Sequence, residues 1–247
     1  MILLDNICAG YSNRPILKDI NLQINSGEFV HILGGNGAGK STLFNVILGK
    51  VLPNKGTLLL DGTSGLNLKQ LASKIAYVSQ NTHQGTVPEF TIQENMELAF
   101  LRGQHAGLRF RSPNANTIKD QLALCELGLE DRIFTKAANL SGGQRQALSI
   151  IMALQRTPKI LLLDEHTSAL DPNTAKRIME LTNKVIRQHH ITCLMITHNL
   201  HDVVKYGDRI IILKSGAVAQ QLNSVEKSTL DHHHLIDLML KVESSLC

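Results

Sequence analysis

Gly34-Gly35-Asn36-Gly37-Ala38-Gly39-Lys40-Ser41 fits the phosphate-binding pattern G-x-x-x-x-G-K-[ST]. Glycines there let backbone N–H groups approach phosphate oxygens without a Cβ in the way, and a following helix offers its positive N-terminal end to the anion. The flanking sequence supplies that context. Phe29-Val30-His31-Ile32-Leu33 reads as a buried strand entering the loop, and Lys40 to Leu48 carries a helical pattern that stops at Gly49. The stretch therefore sets a strand–loop–helix unit at the heart of an α/β fold.

Working outward, two more segments narrow the reading. Leu140-Ser141-Gly142-Gly143-Gln144 reads as a helix N-terminus with a hydroxyl and glycine N–H groups aimed at an anion. Leu161-Leu162-Leu163-Asp164-Glu165 is an apolar run ending in two acids, which places them at the carboxyl end of a central strand, where ligands of open α/β sheets collect. With these motifs in this order, the chain resembles the ATP-binding-cassette (ABC) ATPases over almost its whole length. The resemblance implies a P-loop NTPase (RecA-like) α/β core with an N-terminal antiparallel β-subdomain and an inserted α-helical subdomain.

The resemblance also implies roles. Gly34, Gly35, Asn36, Gly37, Ala38, Gly39, Lys40, Ser41 and Thr42 would bind ATP, with Lys40 on the β- and γ-phosphates and Ser41 on Mg²⁺. Asp164 would hold Mg²⁺, and Glu165 would be the base that polarises the attacking water. Gln80, after the strand Ile75–Ser79, matches the glutamine that touches Mg²⁺ or water and links the ATP site to the membrane partner. His198, after the strand Ile191–Thr197, matches the switch histidine near the γ-phosphate. Tyr11, 29 residues before Lys40, matches the aromatic that stacks on adenine. Ser141, Gly142, Gly143 and Gln144 would contact the ATP bound by a second copy, and Ser168-Ala169-Leu170-Asp171 would lie across that interface.

Two departures from the family pattern stand out. Gly35 replaces the more usual residue without affecting a backbone cradle. His166 stands where most relatives have proline, which adds a titratable group beside the expected base. That position leads us to expect a pH effect on hydrolysis between about 5.5 and 7.5.

Further along, Ile20–Ile24 alternates apolar and polar as a half-buried strand does, and Leu58–Leu60 and Ile75–Val78 are strand candidates. Thr91-Ile92-Gln93-Glu94 fits a capping box opening a helix through Phe100. Helices are also expected from Thr117 to Leu127 and after Ser141. Strands and helices then alternate as Ile160–Asp164, Pro172–Gln188, Ile191–Thr197, Leu200–Tyr206 and Ile210–Leu213, a pattern that argues a parallel sheet with crossover helices. We expect one ABC ATPase domain over 1–247, with core and β-subdomain at 1–84 and 157–247 and a helical insertion at 85–156. No internal repeat suggests tandem cassettes.

Length and composition agree. The 247 residues suffice for a sizeable core, and 25 Lys+Arg against 21 Asp+Glu leave a net charge of +4, with no long basic run demanding nucleic acid. Asp5 comes too early for a secretory h-region, and no apolar run approaches membrane-spanning length. Cys8, Cys125, Cys193 and Cys247 have no C-x-x-C spacing, so free thiols are expected. His232-His233-His234 reads as a helix start with exposed histidines rather than a metal site. The basic stretch Arg102–Arg111 reads as a surface loop, with contact to a membrane partner or anionic lipid as its functional alternative.

Direction is implied by resemblance as well. Exporters of the superfamily carry a Gly-Glu segment ahead of the signature, whereas Phe134-Thr135-Lys136-Ala137-Ala138-Asn139 has neither. Relatives with Asp-Glu-His and Gly-Gly-Asn look like ATPase subunits of bacterial uptake systems. The expected function is therefore an ATPase subunit of an ABC importer of a small solute, with amino acids as the candidate class. Expected partners are a second copy, separate transmembrane permease subunits and an extracytoplasmic solute-binding protein, with the chain peripheral on the cytoplasmic face of the membrane. The alternative is a soluble ABC ATPase acting on nucleic acid or ribosomes; such relatives usually carry two cassettes, a coiled-coil insertion or zinc motifs.

Overall fold

Asn6 and Asp19 adopt left-handed backbone (φ +49° and +48°), a conformation that Asn and Asp tolerate better than most side chains, and each sits at a bulge in the first two strands. The structure, a computed structural model, describes residues 1–12, 14–81, 85–102, 113–168 and 170–245. Its chain runs β1 (Ile2–Tyr11), β2 (Arg14–Ile24), β3 (Phe29–Leu33), α1 (Lys40–Ile47), β4 (Lys55–Leu60) and α2 (Leu68–Lys74). Next come β5 (Ile75–Val78), α3 (Ile92–Phe100), α4 (Ala115–Ala123), α5 (Gly142–Leu154), β6 (Ile160–Asp164) and α6 (Pro172–Gln188). Last are β7 (Thr192–Ile196), α7 (Leu200–Lys205), β8 (Arg209–Lys214), β9 (Ala217–Leu222), α8 (Ser224–Ser228) and α9 (His232–Ser244).

Two compact units result, Met1–Leu71 with His190 onward, and Ala72–His189. The insertion expected at 85–156 lies within the second, together with β5, β6 and α6.

In the first unit β2-β1-β4 form an antiparallel sheet, with Ile2 opposite Ile24 and Leu60. Leu17, Ile20, Leu22 and Ile24 are buried, and the bulge at Asp19 explains why strict alternation is readable only from Ile20 onward. β3 lies parallel between β7 and β8, and β9 closes antiparallel on β8. All five residues of β3 and of β7 are buried, the continuous apolar habit of parallel strands covered on both faces. Against β8 pack α7 and α9. Leu235 is fully buried, and Leu238, Met239 and Val242 recur at helical spacing on the same cluster as Val203 and Ile212. The Asp231 carboxylate accepts the His234 N–H at 2.8 Å and so starts α9 where the histidine triplet begins. Among the described residues no cluster of three His, Cys, Asp or Glu groups is placed to hold a metal.

In the second unit β5 and β6 pair in parallel, Val78 opposite Leu163. The Thr91–Glu94 capping box forms in both directions, and α3 runs to Phe100 as expected. α4 begins two residues before the expected Thr117, because Asn114 accepts the Thr117 N–H and caps the helix there. It ends before Leu127, where Glu126 turns to φ +53°. Cys8, Cys125 and Cys193 form no disulfide among the described residues. Among the described residues no helix is long and apolar enough to cross a membrane.

Candidate functional site

Within the first unit, the loop Gly34–Gly39 leaves the carboxyl end of β3 and enters α1. A Cβ on Gly34 (φ +143°) would lie 2.3 Å from the Leu213 carbonyl oxygen, so only glycine fits. Gly39 (φ +102°) caps α1 without any side-chain bond, which leaves the first N–H groups of the helix to an incoming acceptor. Lys40 is buried at 8 % exposure, and its ammonium donates to the carbonyls of Gly34 (2.6 Å) and Gly35 (3.0 Å). The loop's single cation is thereby drawn across its mouth. The Gly216 N–H, at the β8–β9 turn, donates to the Ala38 carbonyl at 3.1 Å and supports the loop from outside. Thr42 is buried and Ser41 exposed. Glycine geometry, an open helix start and a lysine directed to the loop suit a polyphosphate.

His198 follows β7, whose Ile196 lies beside Ile32 in parallel register, so His198 and the loop leave neighbouring strands at the same end. Asn199 then caps α7 through its bond from the His201 N–H. Tyr11 ends β1 and is 46 % exposed; its phenol oxygen accepts the Asn45 amide at 2.9 Å, which sets the ring beside α1.

The second unit gathers three of the expected residues. β5 and β6 deliver Gln80, Asp164 and Glu165 to one end of the strand pair. The Gln80 amide donates to Glu165 Oε2 at 3.0 Å, and the Tyr77 hydroxyl donates to Asp164 Oδ2 at 3.2 Å. Burial, and then the Asp164 charge, raise the Tyr77 pKa, so the phenol stays a donor. Glu165 holds φ +45°, a left-handed conformation costing about 1–3 kcal/mol at a non-glycine residue. Its carbonyl accepts from both the N–H and the hydroxyl of Ser168, at 3.0 and 2.8 Å, which fixes that turn. The rest of the Ser168–Asp171 segment includes Ala169, outside the described residues, while Asp171 caps α6.

His166 departs from expectation. It is 2 % exposed, neither ring nitrogen has a hydrogen-bond partner among the described residues, and burial depresses its pKa to about 4. The ring is neutral throughout the window in which we expected it to titrate.

Ser141 caps α5 in a complete capping box: its hydroxyl oxygen accepts the Gln144 N–H, and its own N–H donates to the Gln144 side chain, both at 3.2 Å. A Cβ on Gly142 would meet nothing within 4 Å, so this helix start is open. The sequence reading missed what braces it. Arg145, 7 % exposed, donates to the carbonyls of Ala137, Ala138 and Leu140, each at 3.2 Å, locking the turn ahead of Ser141. Its place one residue past the signature was the available signal; Tyr77, an aromatic in a strand, offered none. Of the basic stretch, 103–111 lie outside the described residues, and Arg102 donates to the Ala153 carbonyl at 3.1 Å.

Comparison with known proteins agrees with this geometry. Residues 17–168 match the family described as ABC transporter. The chain is 38 % identical to a tyrosine transport ATP-binding protein of Clostridioides difficile, over 96 % of this chain and 98 % of that one. It is 37 % identical to a phosphonates import ATP-binding protein of Oceanobacillus iheyensis, over 88 % of each. Among solved structures, an ATP-binding cassette captured as a dimer in a post-hydrolysis state with ADP and Pi superposes with a TM-score of 0.78 at 32 % identity, covering 91 % of this chain and 99 % of that one. With its family match over residues 17–168 and these likenesses across most of its length, the chain belongs to the ABC transporter family of ATP-hydrolysing ATP-binding cassettes.

Proposed function

We propose that this ATPase energises import of a small solute of amino-acid type, working as a pair of copies beneath separate permease subunits on the cytoplasmic face of the membrane. The observation that carries the reading is the likeness to a tyrosine transport ATP-binding protein across nearly the full length of both chains. A solute-binding protein delivering to the permease completes the proposed system.

The proposed chemistry divides among named groups. Main-chain N–H groups of residues 34–42 and the Lys40 ammonium bind the phosphates, and Tyr11 stacks on the base. Ser41, Asp164 and Gln80 supply the oxygen donors that suit Mg²⁺. When bound, that ion neutralises charge on the phosphate oxygens. Glu165 accepts the hydrogen bond of the attacking water, with Gln80 orienting its carboxylate, and His198 contacts the γ-phosphate. Ser141, Gly142, Gly143 and Gln144 of one copy face the ATP held by the other, so closure needs the third phosphate and hydrolysis releases it.

The test is reconstitution with permease subunits identified by co-purification from the membrane of the same cell. ATPase activity that rises with a tyrosine-loaded binding protein supports the reading. Co-purification with nucleic acid or ribosomes, and no membrane partner, overturns it in favour of a soluble ABC ATPase.

A further inference from the structure

The phosphate loop has a second neighbour, the end of α9. Met239, Val242 and Glu243 share a cleft of about 170 Å³ with Gly34–Ala38 and Ile212–Ser215. Met239 and Val242 are committed to the apolar cluster against β8, which fixes the rotation of the helix. That rotation directs the Glu243 carboxylate at the loop: a Cβ on Gly35 would stand 3.3 Å from Glu243 Oε1. A side chain at position 35 would therefore crowd the carboxylate. Glu243 has no ion pair or hydrogen bond among the described residues. Lys214, which also lines the cleft, bonds the Ser245 carbonyl and, at 3.4 Å, its hydroxyl. A lysine at the C-terminal end of a helix satisfies orphan carbonyls and pins the last turn, so Glu243 is held in place rather than neutralised.

An unneutralised carboxylate beside a loop built to collect phosphate charge opposes its ligand. We propose that Glu243 is a specificity-determining charge of the nucleotide site, weakening ATP more than ADP because the triphosphate carries one more negative charge. The inference rests on the reading that residues 34–41 bind the nucleotide phosphates. Glu243 is exposed, so water and salt screen the effect, and its size is modest.

Equilibrium titration of the full chain with fluorescent ATP and ADP analogues tests it. Glu243→Gln should tighten ATP about two- to fivefold and ADP less, Glu243→Lys should tighten both further, and the gains should shrink between about 20 mM and about 0.5 M NaCl. Asp237→Asn, which removes an exposed acid from the same helix, should change neither affinity. A purely structural role for Glu243 would show no charge order and no salt dependence. Unchanged ATP affinity in Glu243→Gln, equal gains for ATP and ADP, or an equal gain from Asp237→Asn overturns the inference. Lys40→Ala run alongside separates the two layers: ATP binding that survives this substitution overturns the phosphate-loop reading itself, and the inference with it.

Discussion

The side-chain amide of Gln80 donates to the carboxylate of Glu165 at 3.0 Å, joining the ends of β5 and β6. Glu165 is thus oriented from outside while its backbone is held at φ +45° by the Ser168 turn. A carboxylate whose rotamer is set in advance loses little entropy on binding a water, as the role proposed for Glu165 requires. Gln80→Ala should lower kcat about 10- to 100-fold with a KM for ATP close to that of the parent, since the loop around Lys40 is untouched. Steady-state ATPase kinetics decide it; a raised KM at unchanged kcat would assign Gln80 to ground-state binding instead.

Tyr77→Phe isolates the other contact at this strand end. The ring stays, while the donor to Asp164 Oδ2 at 3.2 Å is lost together with the hydroxyl's hydrogen bond with Ser79. An oxygen ligand freed of its outer hydrogen bond holds a cation less well, so the Mg²⁺ concentration for half-maximal activity should rise about tenfold. A Mg²⁺ titration at saturating ATP reads this directly, and an unmoved midpoint would show that the phenol only fills space.

The contrast between Gln80 and Tyr77 illustrates what the sequence made legible. Gln80, Asp164, Glu165, His198 and the loop at 34–41 follow apolar runs whose ends are visible in one dimension. Of the elements carrying them, Phe29–Leu33, Ile75–Val78 and Ile160–Asp164 have the expected limits, while the strand ahead of His198 is Thr192–Ile196, one residue shorter at each end than the expected Ile191–Thr197. Strands β1 and β9 and helices α2 and α8 were not read. In β1 and β2 the bulges at Asn6 and Asp19 interrupt the period of two on which strand reading depends. Tyr77 acts on Asp164 across two strands and Arg145 on carbonyls of the turn ahead of its own helix, contacts that only the folded chain creates, and His166 changed meaning because burial, invisible in sequence, removes its charge.

That burial makes acid stability a measurable consequence. His166 and His31 are buried with pKa values depressed to about 4 and about 3, His31 by burial first and then by the Lys227 charge, with Asp208 opposing. Both values lie below the unfolded one near 6.5, so the unfolded chain binds more protons between them. The stability these rings allow is fully present above about pH 6.5 and is lost as pH falls toward 4 for His166 and 3 for His31. For His166 the loss is on the order of 3 kcal/mol. His166→Leu should flatten the fall in melting temperature below pH 6 and leave the pH–rate profile between about 5.5 and 7.5 like the parent's. A rate profile altered in that window would return a titrating role to His166.

Ser141 and Glu165 together test whether two copies share the ATP. The hydroxyl and the Gly142 N–H stand at an open helix start, braced by Arg145 but without a phosphate loop in their own sequence neighbourhood. If that helix start meets the γ-phosphate of a second copy, the triphosphate is the bridge, and slowing its cleavage should make the closed pair accumulate. Glu165→Gln removes the proposed acceptor for the water while keeping the shape and the bond from Gln80 possible, so hydrolysis should slow and binding persist. In ATP and Mg²⁺ this variant should sediment as a dimer, and in ADP mainly as a monomer. Adding Ser141→Arg places bulk and a cation at the bridge and breaks the capping box, so the ATP-dependent dimer should disappear; circular dichroism checks that the helices remain. A Glu165→Gln protein that stays monomeric in saturating ATP, or a dimer indifferent to Ser141→Arg, would rule out the shared site for this chain.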